Sequence, residues 1–120
     1  MHTNIIHQKT YSFAIRIIKL RKYLIEKHKE YGLSDQVLRS GTSIGAQVQE
    51  SEHAQSKADF INKMSIALKE ANETRYWLSL LNDTNYIEDA IFQSMHNDID
   101  EIIKILASIV KSSRAGLKKK

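Results

Sequence analysis

The residues Gly41-Thr42-Ser43-Ile44-Gly45 spell Gly-x-Ser-x-Gly, the pattern of a hydrolase nucleophile elbow. That chemistry needs the serine on a strained turn between a strand and a helix, carried by a large parallel sheet. Leu33 to Arg39 has helical spacing instead, and no strand-like alternation long enough to count occurs in the chain. His53, His96, Asp59 and Asp83 are the available triad partners, but long helices do not bring such residues to Ser43 in triad geometry. No Gly-Lys-Ser/Thr follows, so the string is not a phosphate-binding loop either. As helix, Gly41 and Gly45 lie one turn apart on a single face, flanked by Ser40 and Ala46. In water each glycine costs a helix ~1 kcal/mol relative to alanine, so close packing must compensate. Gly41, Gly45 and Ala46 are therefore expected to admit another helix, and Gly45→Leu to destabilise the fold or assembly by several kcal/mol.

Three further groupings could carry chemistry. Glu50 and His53 form a Glu-x-x-His, the ligand pair of di-iron bundles, but those sites need two such pairs and two more glutamates. His2, His7, His28 and His96 have no glutamate three residues earlier, so no metal and no cofactor is expected. Glu70 and Glu73 share a helix that is otherwise apolar on two sides. They read as structural ion pairs with Arg39 or Arg75 rather than as an acid–base pair. Tyr76 and Trp77 could stack on bases, yet an aromatic pair at helical spacing belongs first to a core.

The last grouping is basic. Arg16, Lys19, Arg21, Lys22 and Lys27 lie on the first helix, and Lys118, Lys119 and Lys120 end the chain. Together they form a candidate phosphate-binding surface whose affinity would be sequence-independent and strongly salt-dependent. The formal charge of +4 conceals an uneven distribution. Residues 1–49 hold eight Lys/Arg against three Asp/Glu, residues 50–110 five against eleven, and the last ten residues five against none. Such a chain can pair with itself or present a basic rim to a polyanion.

These residues need positioning, and the composition favours long helices. There is no proline, glycine is scarce, and 42% of the 120 residues are hydrophobic. The absence of cysteine removes disulfides and thiolate chemistry. No apolar run approaches the ~18 residues of a membrane span and none resembles a signal peptide, so a soluble, cytoplasmic protein is expected. Phe13, Ile17, Leu20 and Leu24 define a first helix from about Asn4 to Glu30, with Gly32 as the left-handed residue beyond it. Ser34 caps a second helix reaching about His53. Ser56 to Asp59 opens a third as a capping box, and Asn85 with Glu88 starts a fourth. Its heptad is Phe92, Met95, Ile99, Ile102, Leu106 and Ile109.

Short connections make consecutive helices antiparallel. The expected fold is all-α, an up-down-up-down four-helix bundle over residues 1–112 with a basic, flexible tail at 113–120. Apolar residues outside the main stripes, among them Ile15 and Ile18, Tyr76 and Trp77, and Ile103 and Ile105, exceed one seam on helices 1, 3 and 4. They predict a homo-oligomer.

One block of residues also carries a resemblance. Arg39 to Ala46, then Glu50, Ser56, Asp59-Phe60 and Lys63, then Ala67 to Ala71, Glu73-Thr74 and Tyr76 to Leu78 resemble the 23S rRNA intervening-sequence protein family. That is a bacterial family of small four-helix bundles often labelled ribosomal protein. Members often read Gly-Ala-Asn-Ile where this chain has Gly45-Ala46-Gln47-Val48. The resemblance implies a homopentamer. The chain is also similar to the accessory protein of diversity-generating retroelements, a pentamer that binds nucleic acid and a reverse transcriptase. No catalytic residue comes with either likeness. The expectation is a non-enzymatic oligomer that binds RNA or DNA, with a scaffold for a protein partner as the alternative.

Overall fold

A computed structural model describes residues 2–118, and side-chain positions for 4–117. Its elements are α1 (His2–His28), α2 (Gly32–Ser51), α3 (Lys57–Asp83) and α4 (Asp89–Lys118). Each helix packs against two others in the cyclic order α1–α2–α3–α4–α1, with α1 against α4 the sparsest contact and, among the described residues, no diagonal one. The result is an antiparallel four-helix rod of 53 × 22 × 21 Å, all-α as expected.

The core follows the expected stripes. Ile6, Phe13, Ile17, Leu20 and Leu24 of α1 meet Val37, Ile44 and Val48 of α2, Met64, Ala67, Ala71 and Leu78 of α3, and Met95, Ile99, Ile102 and Leu106 of α4. Few polar side chains enter it. The buried hydroxyls of Ser40 and Thr74 lie 2.9 Å apart across α2 and α3, so each has a partner where water is excluded.

The turns depart from the sequence reading at three places. Gly32 is not the left-handed residue after α1; Lys29 is, at φ 53°. The Glu30 N–H reaches back to the Leu24 carbonyl, closing the end of α1 without a glycine. Ser34 does not cap α2. It lies buried in the first turn, its N–H donates to the Glu30 carboxylate at 2.8 Å, and Glu30 thus takes the capping role. Asn85 does not open α4, which begins at Asp89; Asn85 sits at φ 68° in the turn, and the Asn82 amide ties Ile87 and Asp89. The α3 cap forms as read: Ser56 Oγ accepts from the Asp59 N–H, and Asp59 accepts from the Gln55 N–H.

Two further differences concern surfaces. Helix α4 continues to Lys118 through the composition change at Ser112, since Arg114, Ala115, Leu117 and Lys118 are good helix formers. The apolar surplus is also narrower than expected. Ile91, Ile103, Ile105 and Ile109 of α4 and Phe60 and Trp77 of α3 pack against the core. Outside remain Tyr11, Ile15 and Ile18 of α1, Tyr11 at 71%, and Tyr76 of α3, which is exposed and does not join the core with Trp77.

Candidate functional site

Ser43 lies in the interior of α2, where its hydroxyl donates to the Arg39 carbonyl at 2.6 Å. The Gly-x-Ser-x-Gly string is thus continuous helix, and the strained elbow it would need is not formed. What crosses the glycine face is α1. A Cβ on Gly41 would stand 2.7–2.9 Å from three carbons of Ile17, and one on Gly45 3.4 Å from the Thr10 carbonyl oxygen. Gly41 is buried as a socket for Ile17, whereas Gly45 is in ordinary contact with the α1 backbone. Ala46 is exposed and lines an open groove with Gly45, Thr10, Tyr11 and Ala14.

The acidic pair of α3 is engaged by one arginine. Arg39 bonds Glu70 at 3.3 Å and also Glu73, and the Trp77 indole N–H donates to Glu73 at 3.1 Å. The Trp77 bond is the largest cause; burial opposes it, and the Arg39 hydrogen bond and charge add to it, leaving the Glu73 carboxyl below its ordinary pKa. Burial weakens the charge on Arg39, yet Glu73 and Glu70 together raise its pKa. Arg75 does not join this group. It reaches across to Asp100 of α4 at 3.2 Å and to Asn72. Glu50 and His53 lie on exposed positions near the end of α2. Among the described residues no group of three or more His, Asp or Glu could hold a metal ion.

The basic residues of α1 divide. Arg16 is paired with Asp98 and bonds Ser94, and Arg21 is paired with Asp35 at 2.8 Å. Lys9, not singled out by sequence, pairs with Glu101 at 2.9 Å. Lys19, Lys22 and Lys27 have no ion pair among the described residues, and Lys27 Nζ stands 5.5 Å from the centre of the Tyr23 ring. Lys19 and Lys22 share the exposed outer side of α1 with Tyr11, Ile15 and Ile18. Of the terminal lysines, Lys118 is the last residue of α4, and Lys119 and Lys120 lie outside the described residues. The sequence reading missed the cations nearer the end of α4, Lys104, Lys111 and Arg114; their signal was a complete lack of Asp and Glu after Glu101.

Comparison with known proteins agrees with this fold. A solved structure of a protein of unknown function from the S23 ribosomal protein family of Bacteroides thetaiotaomicron VPI-5482 superposes with a TM-score of 0.91. It is 55% identical in sequence, over 92% of this chain and 99% of that one. No curated protein matches the chain. The profile described as 23S rRNA-intervening sequence protein matches residues 2–108, and the chain belongs to that family.

Proposed function

We propose that the protein is a non-enzymatic, self-associating bundle of the cytoplasm that binds RNA or DNA through phosphate contacts. The observation that carries this reading is the outer side of α1, where an apolar seam and unpaired lysines occur together. Tyr11, Ile15 and Ile18 recur at spacings of four and three, a second seam on a helix whose first is already buried. An exposed seam of this kind is the usual mark of an interface. Burying one isoleucine side chain fully is worth ~1.5–3 kcal/mol, so a few such residues per copy support a stable assembly. The five copies implied by the family likeness would repeat Lys19 and Lys22 around a ring, multiplying modest phosphate contacts into useful affinity.

The test has two parts. Native mass measurement is expected to give an oligomer, and Ile15→Glu with Ile18→Glu to give a folded monomer. Binding of a labelled RNA is expected to fall steeply and linearly on a log–log salt scale. A monomeric wild type, or no RNA binding at ~50 mM salt, where phosphate contacts are strong, would overturn the corresponding half.

A second reading, a scaffold for a protein partner, has an observation of its own. The groove between α1 and α2, about 600 Å³ and lined by Thr10, Tyr11, Ala14, Gly45 and Ala46, is mainly apolar. Oligomerisation without any RNA affinity would favour that reading. No described helix is long and apolar enough to cross a membrane.

A further inference from the structure

We infer that the C-terminal half of α4, with the start of α3, forms a second phosphate-binding surface that tracks a polynucleotide backbone. This rests on the nucleic-acid reading above but places the contacts on a different part of the molecule.

From Ile102 to the end of the chain there is no Asp or Glu, against six Lys or Arg: Lys104, Lys111, Arg114, Lys118, Lys119 and Lys120. The facing stretch of α3 from Phe60 to Lys69 also lacks an acid. Asp59 is engaged at the start of α3, where its carboxylate accepts the Gln55 N–H beside the Ser56 cap. Asp100, one turn before Lys104, already holds Arg75 at 3.2 Å and Lys104 at 3.6 Å. Lys57, Lys111 and Arg114 have no carboxylate partner among the described residues. Where α1 faces the first half of α4 the opposite rule holds, since Arg16 and Lys9 are each matched by an acid of α4.

The second step is arrangement. Lys104, Lys111 and Lys118 occupy positions seven residues apart, so their backbones lie ~10 Å apart along one side of α4. The fold then adds residues from another helix. Arg114 Nη2 lies 3.4 Å from Ser65 Oγ of α3, and Lys57 Nζ comes within 3.8 Å of where a Cβ on Gly116 would stand. Lys57 and Arg114 are more than fifty residues apart in the chain, and only the antiparallel packing of α3 against α4 unites them. Between α3 and α4, with Arg114 at its edge, lies an open groove of about 460 Å³ lined by Leu68, Ala107, Val110, Lys111, Arg114 and Ala115.

The third step is the kind of polyanion. The outer side of α4 carries Ala107, Ser108, Ser112 and Ala115 between its cations, small side chains that let a stiff phosphodiester backbone approach the helix. Insertion into a lipid surface needs large apolar residues beside the cations. The exposed large hydrophobic residue here is Leu117, and the others of that kind are on α1 and at Tyr31 and Tyr76. A nucleic acid fits this surface and an anionic membrane does not.

The experiment compares three full-length proteins binding one labelled single-stranded RNA across a salt series, with circular dichroism as the control for folding. They are the wild type, K104Q/K111Q/R114Q on α4, and K19Q/K22Q/K27Q on α1. Each phosphate contact removed lowers the log–log salt slope by ~0.7 for a single strand, so the α4 variant is expected to lose ~2. Its affinity at low salt should fall by at least ten-fold. A folded α4 variant with wild-type slope and affinity overturns the inference, and a loss confined to the α1 variant does so while leaving the proposed function standing. No binding by the wild type defeats both. Binding to phosphatidylserine vesicles in preference to RNA overturns the choice of ligand.

Discussion

Helix α1 is held on its two sides by opposite means. Toward α2 the contact is dry and close: Ile17 fills the socket at Gly41, and the Thr10 backbone runs against Gly45. Toward α4 the contact is sparse and polar, bridged by Arg16 to Asp98 and Lys9 to Glu101 across half-exposed side chains. Close apolar packing is specific in shape and intolerant of added atoms, whereas exposed ion pairs add little stability and tolerate change. The difference implies that the α2 side fixes how α1 lies in the bundle, and that the α4 side mainly decides which cations remain available. It also explains why α1 keeps Lys19 and Lys22 free while Arg16 is consumed.

The largest effect is expected at Gly41. Gly41→Ala puts a methyl within 3 Å of three Ile17 carbons, two of them on the branched Cβ, which cannot swing clear without shifting α1. Overpacking of this kind costs ~1–3 kcal/mol, more than the ~1 kcal/mol alanine gains in helix propensity. Urea denaturation should show the loss, and combining the change with Ile17→Ala should recover part of it as a positive coupling. An unchanged midpoint would mean that the socket is not tight.

Gly45 provides the internal contrast. Its nearest neighbour lies at 3.4 Å, so Gly45→Ala is expected to be neutral or stabilising by ~0.5–1 kcal/mol through helix propensity. Two identical substitutions one turn apart should therefore have opposite signs. Of the two glycine positions, Gly41 is the tighter at the Cβ, while Gly45 meets the Thr10 backbone and borders the open groove. On the far side of α1, Arg16→Ala should cost ~0–1 kcal/mol, as exposed ion pairs do, with the difference vanishing at high salt. A loss as large as that at Gly41 would erase the contrast between the two sides.

The fold was largely legible because long helices with buried stripes repeat their signal many times: five residues of α1 from Ile6 to Leu24 say the same thing. What a single helix cannot reveal is its partner. The glycine face announced a neighbour, but nothing near Gly41 in sequence points to Ile17 rather than to a residue of α3 or α4. Arg16 looked as free as Lys19 because its partner Asp98 lies 82 residues away. The turns failed for another reason. Glycine and asparagine mark left-handed positions only on average, and at the end of α1 the reach of Glu30 to Leu24 and Ser34 forces that conformation on Lys29 instead. Arg114 was overlooked because composition alone made 113–120 a tail, while α4 continues to Lys118; Lys104 and Lys111 were overlooked because each stands singly among apolar and small residues.

The smallest effect tests the contact between α2 and α3, which mixes the two styles: a buried Ser40–Thr74 hydroxyl pair beside the half-exposed Arg39, Glu70 and Glu73. Glu73 has its folded pKa lowered from an ordinary 4.5, so its contribution to stability is present above that value and lost as pH falls through the lowered folded pKa. The Trp77 N–H is the largest single cause, and Arg39 adds both a hydrogen bond and its charge. In a carboxyl-resolved NMR titration, Trp77→Phe and Arg39→Ala should each raise the Glu73 pKa. A Glu73 that titrates normally in the wild type, or one that neither substitution moves, would assign this junction to the buried hydroxyls alone. The carboxylate would then join the exposed pairs on the α4 side of α1, contributing charge placement and almost no stability.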